Sequence, residues 1–196
     1  MIWSAYMPKY EDENFYRTQQ LGLDKTVARC AVVVQEKHPR TGEDHVVVST
    51  VIRPYWSKQG AGEKSLVGGK VNDTDIKNAE IPPNVRDLNM GQSIEIERRT
   101  AQREVEQEIG VQVPLEQLIY VGLYYNGPWA SALFYVLLDQ RPPVTIGQAD
   151  SPMDEIDGFV WLGTEKVGDD GTIFADHRVL IAEAVKEALG APGGKK

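Results

Sequence analysis

This 196-residue chain has one cysteine, three histidines and no long apolar run. Each shortage removes a class of function. With Cys30 alone, an intrachain disulfide and a thiolate metal cluster are impossible, and its place in an apolar run marks it as a buried core thiol. His38, His45 and His177 have no mutual spacing that suits a metal. No segment approaches the ~20 apolar residues of a membrane span, and the polar, acidic Met1 to Lys25 is unlike a signal peptide, so the expected location is the cytoplasm, with no membrane partner. Positive charge is also scarce. Lys and Arg number 21 against 29 Asp and Glu, a formal charge of -8. A broad nucleic-acid surface gains its affinity from many Lys and Arg contacts to phosphates, and that balance argues against one. A small anion carried in with a metal ion remains compatible.

What the chain does have is an acidic segment that reads as a helix. In Arg103-Glu104-Val105-Glu106-Gln107-Glu108-Ile109-Gly110-Val111, Glu104, Gln107 and Glu108 share one face at 3.6 residues per turn. Ala101, Val105 and Ile109 form the apolar stripe beside it. Gly110 is placed to stop the helix. Upstream, Leu66-Val67-Gly68-Gly69-Lys70-Val71 supplies a glycine turn whose backbone could approach a phosphate closely, with Lys70 beside it. An acidic face under a Gly-Gly turn is what a divalent-metal phosphate site requires. Oxygen ligands suit magnesium or manganese, so Glu104 and Glu108, one turn apart, are the predicted metal ligands.

These residues resemble the box of the Nudix hydrolases, G-x5-E-x7-R-E-U-x-E-E-x-G-U, where U is a bulky aliphatic residue. Glu95 stands eight positions before Arg103, and Arg103 to Val111 meets each later position but one. Gln107 occupies the first place of the Glu-Glu pair, which the family uses as a metal ligand; its amide oxygen keeps a donor and removes a charge. Counted to Glu95, 25 residues follow Gly69 where the box has five, an apparent insertion over 72–92. The resemblance implies an α/β/α sandwich around a mixed sheet, and a metal-dependent hydrolase that cleaves the pyrophosphate of a nucleoside diphosphate linked to another moiety. It gives Arg103 the task of orienting a carboxylate. It also implies an extra carboxylate, as base or metal ligand, from the loop before a late strand, where Asp154, Glu155 and Asp157 stand. The alternative is a Nudix-fold binding or regulatory domain in which Gln107 marks lost catalysis.

Spacing and helix geometry disagree over Glu95. On an uninterrupted helix it lies about 180° from Glu104, whereas Glu97 falls within about 20°. A helix capped by Ser93 makes Glu97 a metal-facing residue; a later start would let Glu95 turn inward. Trp129, with Tyr124 and Tyr125, is placed to stack on a base, though aromatics in strands are more often core.

Along the chain, 1–28 reads as an N-terminal extension with a helix near Glu13 to Gln20, able to cap the domain or reach a neighbouring subunit in a homodimer. Residues 29–190 form the domain, and 191–196 a disordered tail. Strands are predicted at Arg29–Gln35, His45–Ile52, Lys64–Val71, Leu118–Tyr125, Ala132–Leu138 and Ile156–Leu162. Residues 72–92, with Pro82-Pro83, read as irregular. Ile173–Leu189 reads as a closing helix with Leu180, Ile181, Ala184, Val185 and Leu189 inward.

Overall fold

The computed structural model describes Lys9 and residues 25–79, 88–126, 129–147 and 156–190. The helix expected near Glu13 to Gln20, the tail 191–196, and Gly127, Pro128, Asp154 and Glu155 lie outside these residues. Among the described residues, seven strands form one mixed sheet: β1 (Thr26–Lys37), β2 (Asp44–Ile52), β3 (Lys64–Ser65), β4 (Val67–Lys70), β5 (Ile119–Asn126), β6 (Trp129–Leu138) and β7 (Gly158–Gly163). The main path runs β3-β2-β1-β6-β5, with β4 also on β1 and β7 also on β2. β1 and β6 run parallel, from Thr26 beside Ala130 to Val34 beside Leu138; the other strand pairs are antiparallel.

β1 is central because its run Ala28-Arg29-Cys30-Ala31-Val32-Val33-Val34 can be buried on both faces. Alternate residues serve opposite layers. Ala28, Cys30 and Val32 pack with Ala101, Val105 and Ile109 of the helix Met90–Ile109. Ala31 and Val33 pack with Leu180, Ile181 and Ala184 of the helix Ala175–Gly190. The result is the expected α/β/α sandwich. Cys30 is buried in the first layer, which pushes its thiol up to about 12, so it is an inert core residue. Within the last helix, Val185 and Leu189 are part-buried, and His177 and Ala188 complete the inward stripe.

Three local expectations are corrected. The segment read as irregular from Asn72 contains a helix, α1 (Asp73–Asn78), closed by a capping box in which Asn72 and Asp75 bond each other's backbone N–H. The long helix, α2 (Met90–Ile109), begins before Ser93. Its N-cap is Asn89, whose side chain accepts from the Gln92 N–H while Gln92 Oε1 accepts from the Asn89 N–H, both at 3.0 Å. Asn-x-x-Gln outcompetes Ser93, which lies buried within the first turns. The closing helix, α3 (Ala175–Gly190), starts after Ile173, which instead bridges to Lys64. Gly110 ends α2 as expected, at φ 69°, its N–H donating to Glu106 O.

One contact ties α3 to the cleft. The buried His177 accepts the Leu66 N–H on Nδ1 at 2.8 Å, which requires that nitrogen to be unprotonated. Burial first, then the charges of Arg29 and Arg53, hold its pKa well below 6.5. The unfolded chain therefore takes up a proton near pH 6.5 that the folded chain refuses. Stability from this group is full above that pH and falls as pH drops below it, down to the folded pKa. Melting temperature is expected to fall from about pH 7 to about pH 5, with a shallower slope in His177→Asn, whose amide oxygen accepts without titrating. Equal slopes would remove His177 as the cause.

Candidate active site

The two structural halves of the sequence motif meet in one cleft of about 580 Å³, bounded by β4, the end of β2 and the last turns of α2. β4 pairs with β1 so that Gly68 faces Arg29 and Gly69 faces Ala28. These two glycines have different reasons. At Gly68, φ is 148° and a Cβ would sit 2.1 Å from Ala28 O, a collision with backbone. At Gly69, a Cβ would sit 2.1 Å from Glu104 Oε1. The strand edge is bare so that the Glu104 carboxylate can lie against it.

The distinction predicts different outcomes for two small changes. Gly69→Ala should cost about 1 kcal/mol or less, because a flexible side-chain end can move, yet weaken Mn2+ binding about tenfold or more by displacing Glu104. Gly68→Ala should cost at least about 2 kcal/mol, because backbone must move. Chemical denaturation with a Mn2+ titration separates them. Unchanged Mn2+ affinity in Gly69→Ala would show that the Glu104 position is not required.

Seven predicted residues meet here: Gly68, Gly69, Lys70, Arg103, Glu104, Gln107 and Glu108. Glu104 is buried, and its Oε1 lies 2.7 Å from Arg103 Nη1. Glu108 Oε2 accepts the Gly68 N–H at 3.2 Å. Gln107 Oε1 accepts from Arg103 Nη1 at 2.8 Å. Lys70 lines the cleft and places its ammonium 4.5 Å from the Trp129 ring centre. Trp129 itself is not among the cleft-lining residues; Trp56, half exposed on the loop after β2, is. Tyr124 is core and Tyr125 exposed. Glu97 lies on the buried stripe of α2 two turns from Glu104, fully enclosed and outside the cleft lining. Glu95 points away, paired with Arg98 and Arg99. Helix geometry, not motif spacing, describes this pair. Asp157 is exposed and accepts the Tyr55 N–H, while Glu155 lies outside the described residues.

The acid that serves Arg103 was missed. Asp75, on α1, accepts from Arg103 Nε at 2.9 Å and Nη2 at 3.0 Å, and also from Thr100 Oγ1 and the Asn72 N–H. Burial alone would lower the Arg103 pKa; hydrogen bonds and charge from Asp75 and Glu104 outweigh it and raise it. The signal was present. Asp75 stands six positions after Gly69, the G-x5-acid spacing of the box with Asp for Glu, so 27 residues separate it from Arg103 where the box has seven. On this count the extra residues follow Asp75 and do not precede it.

The donor set fits a hard divalent cation. Two carboxylates and an amide oxygen stand one turn apart at the cleft, and magnesium usually takes one or two protein carboxylates, the rest coming from water and substrate. Among the described residues no group of three or more His, Cys, Asp or Glu is arranged to hold a metal. Four cationic side chains, Arg29, Arg53, Lys70 and Arg103, face the two carboxylates in this cleft. The cleft thus carries an excess of positive charge in a chain of charge -8.

No protein-family model matches the chain, and no curated protein matches it by sequence. Solved structures do. The Nudix domain of Shewanella oneidensis NrtR, complexed with ADP ribose, is 14% identical with a TM-score of 0.57, over 91% of this chain and 98% of that one. A Nudix hydrolase from Alicyclobacillus acidocaldarius is 14% identical at 0.58, over 82% and 91%. A MutT/Nudix family protein from Enterococcus faecalis is 13% identical at 0.57, over 94% and 76%. At these identities the likeness establishes the architecture: the chain has the Nudix fold.

Proposed function

We propose that this chain is a divalent-metal-dependent hydrolase that cleaves the pyrophosphate bond of a nucleoside diphosphate linked to another moiety. The observation that carries this reading is the convergence, in one cleft, of the Gly68-Gly69 edge, the Glu104 and Glu108 carboxylates and four cationic side chains. A pyrophosphate is shielded by its anionic oxygens, and this cleft supplies countercharge around them. Glu104, Glu108 and the Gln107 oxygen would hold magnesium or manganese. Such an ion neutralises phosphate oxygens and lowers the pKa of a bound water.

The chain's own residues do the rest. The Gly68 N–H fixes Glu108 by hydrogen bonding to Oε2, and Arg103, clamped by Asp75, fixes Glu104. Lys70 stands at the cleft edge for a phosphoryl oxygen. Glu155, in the acidic segment before β7, is the proposed base. The single, buried cysteine suits a reducing cytoplasm.

A binding or regulatory domain is the second reading, favoured by Gln107, which removes one carboxylate from the cage. A substrate panel separates the two. With Mg2+ or Mn2+, ADP-ribose, NADH, nucleoside triphosphates, dinucleoside polyphosphates and nucleotide sugars are offered, ADP-ribose first because the Shewanella domain holds it. Cleavage of a member at enzyme-like rates supports the hydrolase. A ligand that raises melting temperature and is recovered intact supports the binding domain.

A further inference from the structure

Two arginines in the cleft are not explained by holding a metal. Arg29 interrupts the apolar run of β1, the strand buried on both faces. Its Nη1 donates to Gly68 O at 2.8 Å, while its Nε is buried and makes no hydrogen bond among the described residues. Arg53 follows β2 and is held in place: Nε donates to Gln59 O at 3.0 Å, Nη2 to Ser57 Oγ at 3.0 Å, and its Cζ lies 5.0 Å from the Phe174 ring centre. Burial pulls Arg29 down to about 10, Glu108 raises it in part, Arg53 lowers it further, and Glu104 adds a smaller raise. Burial lowers Arg53, and Glu63 and then Glu108 raise it in part. Both arginines therefore feel Glu108, Arg29 also feels Glu104, and Arg53 also feels Glu63. If Glu104 and Glu108 are committed to a divalent cation, as the proposed function holds, Arg29 is left facing Arg53 and a metal. Burying cations this way is costly unless an anion joins them.

We propose that Arg29 and Arg53 form a phosphoryl-binding subsite beside Glu108, taking an oxyanion of the substrate's diphosphate while its other oxygens meet the metal. A guanidinium carries five N–H donors, so each arginine keeps donors beyond those given to Gly68 O, Gln59 O and Ser57 Oγ with which to meet a phosphoryl group. The arrangement selects a ligand with at least two linked phosphoryl groups, since one group must satisfy the arginines and another the carboxylate-bound cation. It also gives Arg29 a reason to stand in a central strand, where an aliphatic residue would pack better.

The subsite can be tested without turnover. Inorganic pyrophosphate is titrated calorimetrically into the full chain in EDTA, and Mn2+ is titrated separately, for wild type, Arg53→Gln and Arg53→Lys. Arg53→Gln is expected to weaken pyrophosphate about tenfold while Mn2+ binds as well or more tightly, because a positive charge near Glu108 has gone. Arg53→Lys should recover part of the pyrophosphate affinity, lacking the fork but not the charge. Unchanged pyrophosphate affinity in a folded Arg53→Gln protein would overturn the subsite and leave the arginines as counter-ions of Glu108. Loss of both affinities would also overturn it, as a local structural effect. Pyrophosphate binding that depends on Arg53 in a chain that cleaves nothing in the panel would retain the subsite and retire the hydrolase.

Discussion

Glu108→Gln is expected to lower Mn2+ affinity and turnover together by about a hundredfold, while the protein stays folded. The substitution is nearly isosteric, and the Gly68 N–H that donates to Oε2 can donate to the amide oxygen instead. What disappears is the charge. Arg29 and Arg53 both feel Glu108, so the variant also leaves two cations less well compensated, and a stability loss of about 1 kcal/mol is expected. Product release at saturating Mg2+ or Mn2+ and a metal titration read the two effects. Wild-type turnover in a folded Glu108→Gln protein would sink the ligand assignment.

The second large effect is expected at a residue that does not line the cleft. Asp75→Ala should cost about 2 to 3 kcal/mol. Asp75 is nearly sealed from solvent and serves Arg103, Thr100 and the α1 capping box at once, so its removal leaves four donors on three residues to find other partners. Arg103 retains some exposure, which keeps the cost below that of a fully buried broken pair. Freed from Asp75, its guanidinium no longer has a fixed position from which to hold Glu104 and Gln107, so turnover should fall as well. Urea unfolding of Asp75→Ala, Arg103→Gln and the double variant gives the coupling, expected to exceed about 1 kcal/mol. Additive losses would show that the pair is not a unit.

The sequence exposes the parts of this fold whose information is local. Ala101, Val105 and Ile109 repeat at helical spacing, Gly110 ends the helix, and the β-branched runs around Val32 and Val48 alternate or stay apolar as central strands must. Glu97 inward and Glu95 outward follow from 100° per residue on an unbroken helix. Contacts formed across the insertion are harder to read. The Asp75–Arg103 pair joins residues 28 apart with no period between them, and the substitution of Asp for Glu hid the box spacing. Arg29 hides in the apolar run of β1, and Arg53 follows the end of another strand; only the pairing of β1 with β4 and the fold of the loop after β2 bring them together. Asn89 is hard to read as a cap because it lies within the stretch 72–92 whose composition reads as irregular.

In the proposed reaction, water attacks phosphorus in a linked diphosphate, and Glu104 and Glu108 would hold the divalent ion that assists it. The direct measurement is mass spectrometry of the products formed from ADP-ribose and the nucleotide sugars in heavy-oxygen water, with Mg2+ or Mn2+ and with EDTA. Two monophosphate products are expected, one carrying a single heavy oxygen on its phosphate, formed with metal and not with EDTA. Substrate recovered whole, or heavy oxygen appearing on a sugar carbon, would contradict it.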